Sequence, residues 1–356
     1  MKDPIKGRGA LDNPDNRFDR YSREAVDDGW GSLEAQENPA RELIRDSSRT
    51  VVVRNQSPDV PFRQSINPYR GCEHGCVYCF ARPSHAYLGY SPGLDFETRL
   101  HYKPDAPQLL RDELAAGSYE CEPIALGVNT DAYQPIERRL AITRGILEVL
   151  AEMRHPVSII TKGVLIERDL DLLQDLAGDG LVQVMVSLTT LDPLLARRME
   201  PRAPSPGRRL ALIEALHRAG IPVGVLMAPL IPYLNDSELG PILEAARGAG
   251  ALQADYVLLR LPREVAGLFE DWLHAHYPNQ AARVLNRIRD CRDGKLYDNR
   301  FGTRMRGEGV FADLISRRFH LAVDKLGFPG LPELRCDLFR PRNFGHPQLD
   351  LFGTNT

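Results

Sequence analysis

Between about residues 50 and 270 short apolar runs alternate with amphipathic helical patterns, and this alternation constrains the fold more than any other feature. The runs are Ile124–Val128, Val157–Thr161, Val182–Leu188, Pro222–Ala228 and Tyr256–Arg260, and the segment Ser65–Arg70 makes a sixth if it supplies the first strand. Each is of a length expected for a buried parallel strand. Helical periodicity fills the gaps at Ile136–Met153, Arg168–Ala177, Gly207–Ala219 and Ser237–Arg247. Strand–helix alternation of this kind predicts a parallel sheet with right-handed crossovers. About six β/α units fit either an incomplete barrel or an open doubly wound sheet, and periodicity alone does not choose between them.

The flanks differ. Residues 1–49 hold nine Lys/Arg and eleven Asp/Glu with few apolar side chains, which predicts a solvated, disordered polar N-terminal extension with a short helix near Leu33–Ile44. The core is expected over 50–270. An α-rich basic region follows over 271–342, in which Val310–Leu326 carries an apolar stripe closed by Gly327 and Pro329. Residues 343–356, rich in Pro, Gly and Asn, are expected to form a flexible tail. The longest apolar stretch, Ile221–Leu234, is broken by Pro222, Pro229 and Pro232 and is too short to span a bilayer. The polar N-terminus has no signal-peptide core, so the chain reads as soluble and cytoplasmic.

Three of the six cysteines, Cys72, Cys76 and Cys79, crowd into eight residues after the first run. In a chain of this kind such a C-x3-C-x2-C cluster suits a metal centre better than disulfides. Gly71 and Gly75 permit the positive φ that tight wrapping needs. A closed zinc site requires a fourth ligand, for which His74 and His85 are the nearest candidates. A four-iron cluster held by three cysteines instead leaves one iron open. Both readings stand on the residues alone.

The motif, with Tyr78 just before the third cysteine, resembles the signature of the radical S-adenosylmethionine (radical SAM) superfamily. That resemblance covers roughly residues 60–265. It implies an α/β fold of the incomplete (β/α)6 TIM-type barrel kind, a [4Fe-4S] cluster on Cys72, Cys76 and Cys79, and S-adenosyl-L-methionine as cofactor. It also implies an electron donor, and reductive cleavage of the cofactor to a 5′-deoxyadenosyl radical. Chemistry is expected at the C-terminal ends of the strands. Within the superfamily, Gly127-Val128-Asn129-Thr130-Asp131, Met199-Glu200-Pro201-Arg202 and Met227-Ala228-Pro229 most resemble the spore photoproduct lyase branch. Carried over residue by residue, Asn129, Thr130 and Asp131 would face the methionyl amine and Lys162 the cofactor carboxylate. Ser187 would contact the ribose or carboxylate, and Tyr78 the adenine edge. The lyase uses a hydrogen-donor cysteine near the position of Val128, and this chain has none there. Repair of the spore photoproduct itself is therefore not implied, and the catalytic hydrogen donor is not identified.

Between Arg283 and Arg306 eight Lys/Arg stand against three Asp/Glu, with Tyr297 and Phe301 interleaved, a pattern suited to phosphates and bases. A nucleic-acid substrate, DNA in particular, is the first expectation. Radical chemistry on a protein or small molecule is the second, and a non-catalytic zinc-binding module the third. At the C-terminus Gln348, Leu349, Leu351 and Phe352 form a Gln-Leu-x-Leu-Phe peptide. It resembles the pentapeptides that dock repair proteins on the bacterial DNA polymerase III sliding clamp through spaced apolar anchors.

Overall fold

The computed structural model describes residues 4–21 and 39–341. Among them, ten strands form two sheets: β1 (Glu42–Arg45), β2 (Val53–Arg54), β3 (Gln64–Ile66), β4 (Tyr69–Arg70), β5 (Arg99–Tyr102), β6 (Ile124–Leu126), β7 (Val157–Thr161), β8 (Val182–Ser187), β9 (Val223–Leu230) and β10 (Gln253–Leu258). The larger sheet runs β10-β9-β8-β7-β6-β3-β2, all parallel except the β2–β3 pair. Its six parallel strands follow one another in chain order without a reversal. A doubly wound sheet must reverse its order at a switch point, so the observed order selects the incomplete (β/α)6 barrel. The second sheet, β1-β5-β4, lies within and beside the first crossover.

The six expected runs all supply barrel strands, with ends moved by a few residues. Strand faces toward the helices are filled by Ile124, Leu126, Val157, Ile159, Val184, Val186, Val223 and Val225, all with at most 2% of their surface exposed. The helix expected over Ile136–Met153 is broken into Glu137–Leu140 and Ile142–Glu152 at Ala141, which adopts a left-handed φ of 52°. The buried Glu137 side chain explains the break: it accepts the Thr143 N–H at 3.1 Å and so caps the second helix. Val310–Leu326 is a helix closed by Gly327 at φ 64°, as expected. Its buried face is Ala312, Ile315 and Phe319, whereas Leu314 is half exposed and Phe311 lies under Arg287 at 3.6 Å.

Two expectations at the N-terminus need correction. Part of the helix expected near Leu33–Ile44 is β1, paired in parallel with β5; its portion over 33–38 lies outside the described residues. The segment 4–21, expected to be solvated, is docked: Ala10 and Leu11 are buried, and Asn16 donates to the Ala86 carbonyl at 2.9 Å. Its contact with the cysteine loop is so close that a Cβ on Gly9 would lie 1.8 Å from the Gly75 carbonyl oxygen, which restricts the position to glycine.

A second apolar core lies beneath the cysteine loop. Val77 and Met199 meet Phe269, Trp272 and Leu273 from the helix Glu264–His276, and the Trp272 indole donates to the Arg198 carbonyl at 3.0 Å. That helix crosses the expected boundary at residue 270, so core and C-terminal region share packed side chains.

Candidate active site

The cysteine loop follows β4 directly. Gly71 and Gly75 have φ of 82° and 67°, and a Cβ at Gly75 would lie 2.7 Å from the Glu97 carboxylate, so the tight wrap requires glycine there. The loop is braced from three sides. Gln134, beyond β6, accepts the Glu73 N–H at 2.8 Å and donates to the Gly71 carbonyl at 3.2 Å. Val77 donates to the Met199 carbonyl at 3.1 Å. The fully buried Arg82 guanidinium donates to the carbonyls of Cys76 (2.9 Å), Gly75 (3.3 Å) and Gly93 (2.8 Å), and pairs with Glu97 at 2.5 Å. Glu97 accepts the N–H groups of Gly9 (3.1 Å) and Ala10 (2.9 Å), so the N-terminal segment completes the brace.

Cys72, Cys76 and Cys79 are free thiols, and all three line one cavity of about 520 Å³. Burial pushes each thiol up, Cys76 to about 12. The Lys162 ammonium opposes this at Cys76 and the Arg82 guanidinium at Cys79. Buried thiols of this kind ionise when a bound metal supplies the compensating charge, with release of protons. Three soft sulfur donors in one wall fit an iron–sulfur cluster and are one donor short of a closed zinc site. Of the two candidate fourth ligands, His74 lines the cavity with its Nδ1 3.3 Å from Asp131, whereas His85 is buried outside the walls with Nε2 on the Arg99 carbonyl at 2.9 Å. Among the described residues no three His, Cys, Asp or Glu side chains meet as a ready-made single-ion site, so the fit rests on donor chemistry and the shared cavity.

The strand-end residues divide by what they touch. Asn129 is exposed on the cavity wall, its backbone N–H fixed by Asn67 Oδ1 at 2.8 Å. Thr130 is not on the wall; its hydroxyl donates to the Tyr69 carbonyl at 2.7 Å. Asp131 lines the wall with both oxygens occupied. Oδ1 accepts Tyr133 N–H (2.9 Å) and Thr161 Oγ1 (2.6 Å); Oδ2 accepts Lys162 N–H (2.7 Å) and faces His74. Burial raises the Asp131 carboxyl, but His74 and these donors outweigh it and hold the group well below the ordinary carboxylate range. Asp131 therefore ties the cysteine loop to the ends of β6 and β7.

Lys162 lines the cavity at the end of β7, with Nζ 5.9 Å from the Tyr78 ring centroid. Burial lowers its pKa, yet Cys76 and Glu200 raise it further, so it stays cationic. Ser187, buried at the end of β8, and Tyr78 complete this side. The Tyr78 hydroxyl donates to Glu200, which also accepts Thr189 Oγ1 at 2.7 Å and pairs with the buried Arg209. Met227 is fully buried in the main core. Val128 lines the cavity, whereas Cys121, Cys291 and Cys336 are not among its walls.

Sequence reasoning missed Arg82, Glu97, Gln134 and Arg209 as supports. Glu200 had a local signal, in the Met199–Arg202 landmark. The basic segment also differs from its expected form. Arg287 pairs with Asp290, Arg300 with Asp298 and Glu308, Arg304 with Asp59 and Arg306 with Asp255, while Arg292 is buried. Much of its charge is thus neutralised within the fold, and Arg304 reaches the cavity mouth.

A family model described as the radical SAM superfamily matches residues 66–246. An uncharacterized protein of Mycobacterium tuberculosis is 43% identical over 226 residues, 63% of this chain and 66% of the relative, so the match spans just under two thirds of that relative's length. An uncharacterized protein of Methanocaldococcus jannaschii is 26% identical over 250 residues, 70% of this chain and 89% of its own. A spore photoproduct lyase point mutant superposes with a TM-score of 0.57 at 16% identity, covering 81% of this chain and 80% of that one. Spore photoproduct lyase complexed with dinucleoside spore photoproduct gives 0.56 at 15%, with 81% and 80% covered. At these identities the structural likeness is one of fold. No described helix is long and apolar enough to cross a membrane. With a family model covering half of the chain, and the three cysteines on one cavity wall of an incomplete barrel, the chain belongs to the radical SAM superfamily.

Proposed function

We propose that the chain is an S-adenosyl-L-methionine enzyme with a [4Fe-4S] cluster on Cys72, Cys76 and Cys79, acting on nucleic acid. One observation carries the reading: the three thiols share a single cavity with Asn129, Lys162 and Ser187 at the C-terminal ends of the parallel strands. The bound cluster and cofactor would supply reductive cleavage of the sulfonium to a 5′-deoxyadenosyl radical. The chain's own residues do the rest. Asn129 offers a free amide for the methionyl amine, and the Lys162 ammonium a charge for the carboxylate. Ser187 offers a hydroxyl, and Asp131 and Thr130 hold the loops in register. Tyr78, fixed through Glu200, gives a rigid aromatic wall for adenine. Val128, Ile160 and Leu226 line the same cavity and exclude water from the reacting centre.

The substrate class rests on the cavity mouth, where Arg54, Phe80, Arg260 and Arg304 gather guanidinium groups and an exposed ring. Guanidinium groups match phosphates and exposed rings stack on bases. The fold shared with a lyase solved with a dinucleoside lesion supports the same reading. A second reading, a protein or small-molecule substrate, is favoured by the internal pairing of the basic segment. Anaerobically reconstituted protein with dithionite and cofactor should release 5′-deoxyadenosine, carrying deuterium when a labelled damaged oligonucleotide is the substrate. Stoichiometric zinc with no deoxyadenosine would overturn the enzyme reading; deuterium arriving only from a peptide or metabolite would favour the second.

The pentapeptide Gln348–Phe352 lies outside the described residues. We propose it as a docking peptide for the sliding clamp, with Leu349, Leu351 and Phe352 as anchors and Gln348 at the rim. Deletion of residues 348–352 should abolish clamp binding, of about micromolar strength, in a pull-down with purified clamp, while cluster content is unchanged. Clamp binding that survives the deletion contradicts the assignment.

A further inference from the structure

Just beyond β10, Arg260 carries a positive charge with no carboxylate partner among the described residues. Arg260 lines the cavity, its guanidinium 5.2 Å from the centroid of Phe80, the residue next to Cys79. One Nη donates to Met305 Sδ at 3.5 Å, and its buried Nε has no partner. Behind it stands Arg292, with 1% of its surface exposed. Arg292 donates to the carbonyls of Leu258 (3.2 Å) and Leu259 (2.6 and 3.1 Å), leaving buried Nη1 unpartnered. Burial, and then the neighbouring Arg260, pull Arg292 down to about 10. Three arginines of the following segment do have carboxylate partners: Arg304 has Asp59, Arg306 has Asp255, and Arg300 has Asp298.

Two adjacent guanidinium groups, each with a buried N–H lacking an acceptor, form an incomplete polar arrangement. An unmet buried donor costs about 1–3 kcal/mol, more when charged; Arg260 lines the cavity, where an arriving oxyanion would offset the charge, whereas Arg292 lies off the wall behind it. We propose that Arg260, held on Phe80 and backed by Arg292, is the seat for a phosphoryl oxyanion of the substrate. The guanidinium presents parallel N–H groups to two oxygens of one phosphate. The Phe80 ring, 42% exposed, fixes its plane. This rests on the nucleic-acid reading above and names the contact that would select such a substrate. A phosphodiester and a free phosphomonoester share the chemistry.

The test is fluorescence anisotropy with reconstituted protein under anaerobic conditions. The probes are fluorescein-labelled hexathymidylate, read by anisotropy, and thymidine 5′-monophosphate and inorganic phosphate, each read as a competitor and also directly by isothermal titration calorimetry. Arg260→Gln should weaken hexathymidylate binding at least about tenfold and reduce the slope of log affinity against log salt by about one. Arg260→Lys, which keeps the charge without the fork, should fall between. Iron content identifies any variant that fails to fold, and Arg260→Lys then carries the comparison. If wild type and Arg260→Gln bind hexathymidylate alike, the seat is overturned and the nucleic-acid reading stands. If only the monophosphate or inorganic phosphate binds, and does so through Arg260, the seat stands and the nucleic-acid reading falls. If wild type binds none of the three, the seat is overturned.

Discussion

Arg209→Met is expected to destabilise the fold by about 3–5 kcal/mol, because it strands a buried carboxylate. Glu200 is 2% exposed and accepts from Tyr78, Thr189 and Arg209. Burial raises its pKa, but Arg209 and then Lys162 more than offset this and bring it from 4.5 to about 2. A carboxyl depressed on folding contributes stability that is complete above its unfolded value and is lost as pH falls through the folded one. Stability should therefore decline between about pH 4.5 and 2, and Asp131, held low by His74 and its donors, should add to the slope at the acid end. Urea titrations across that range test both statements. Glu200→Gln should flatten the profile and rescue much of the Arg209→Met loss, since a neutral amide no longer needs the cation. An Arg209→Met midpoint equal to wild type would contradict the assignment of this pair as the support of the Tyr78 wall.

The second large effect concerns the thiols. Cys72→Ala, Cys76→Ala or Cys79→Ala should each eliminate the broad absorption near 400 nm of the reconstituted protein, and with it deoxyadenosine release, since each removes a ligand that two others cannot replace. His74→Ala should keep its iron, because the histidine touches Asp131 and serves the loop, not the cluster. Iron and sulfide determination separates the outcomes. Loss of metal in His74→Ala with zinc bound in the parent would return the site to the zinc reading.

What could be read in the sequence follows the range of the interactions. Five of the six parallel strands are legible because each is a local apolar run, and the cysteine loop because its donors and glycines sit within ten residues. The break at Ala141 is not, since it depends on Glu137 also accepting Arg168 and Tyr69 from elsewhere. Arg82 looks like an ordinary charged residue until Glu97, Gly75 and Gly93 close around it. The N-terminal segment is the sharpest case. Its polar composition reads as solvated, yet its backbone N–H groups are what Glu97 holds across more than eighty residues of chain. At the cavity, Asn129, Lys162 and Ser187 converge as their strand-end positions imply, whereas Thr130 turns to the Tyr69 carbonyl, a direction that spacing does not encode.

An iron left open by the three cysteines to S-adenosyl-L-methionine beside Asn129 and Lys162, as proposed, is tested most directly by electron paramagnetic resonance of the dithionite-reduced cluster. Addition of S-adenosyl-L-methionine should change the g-values in the wild-type protein, and Asn129→Ala and Lys162→Met should each require more cofactor for the same change. A four-iron signal that is indifferent to saturating cofactor would contradict it.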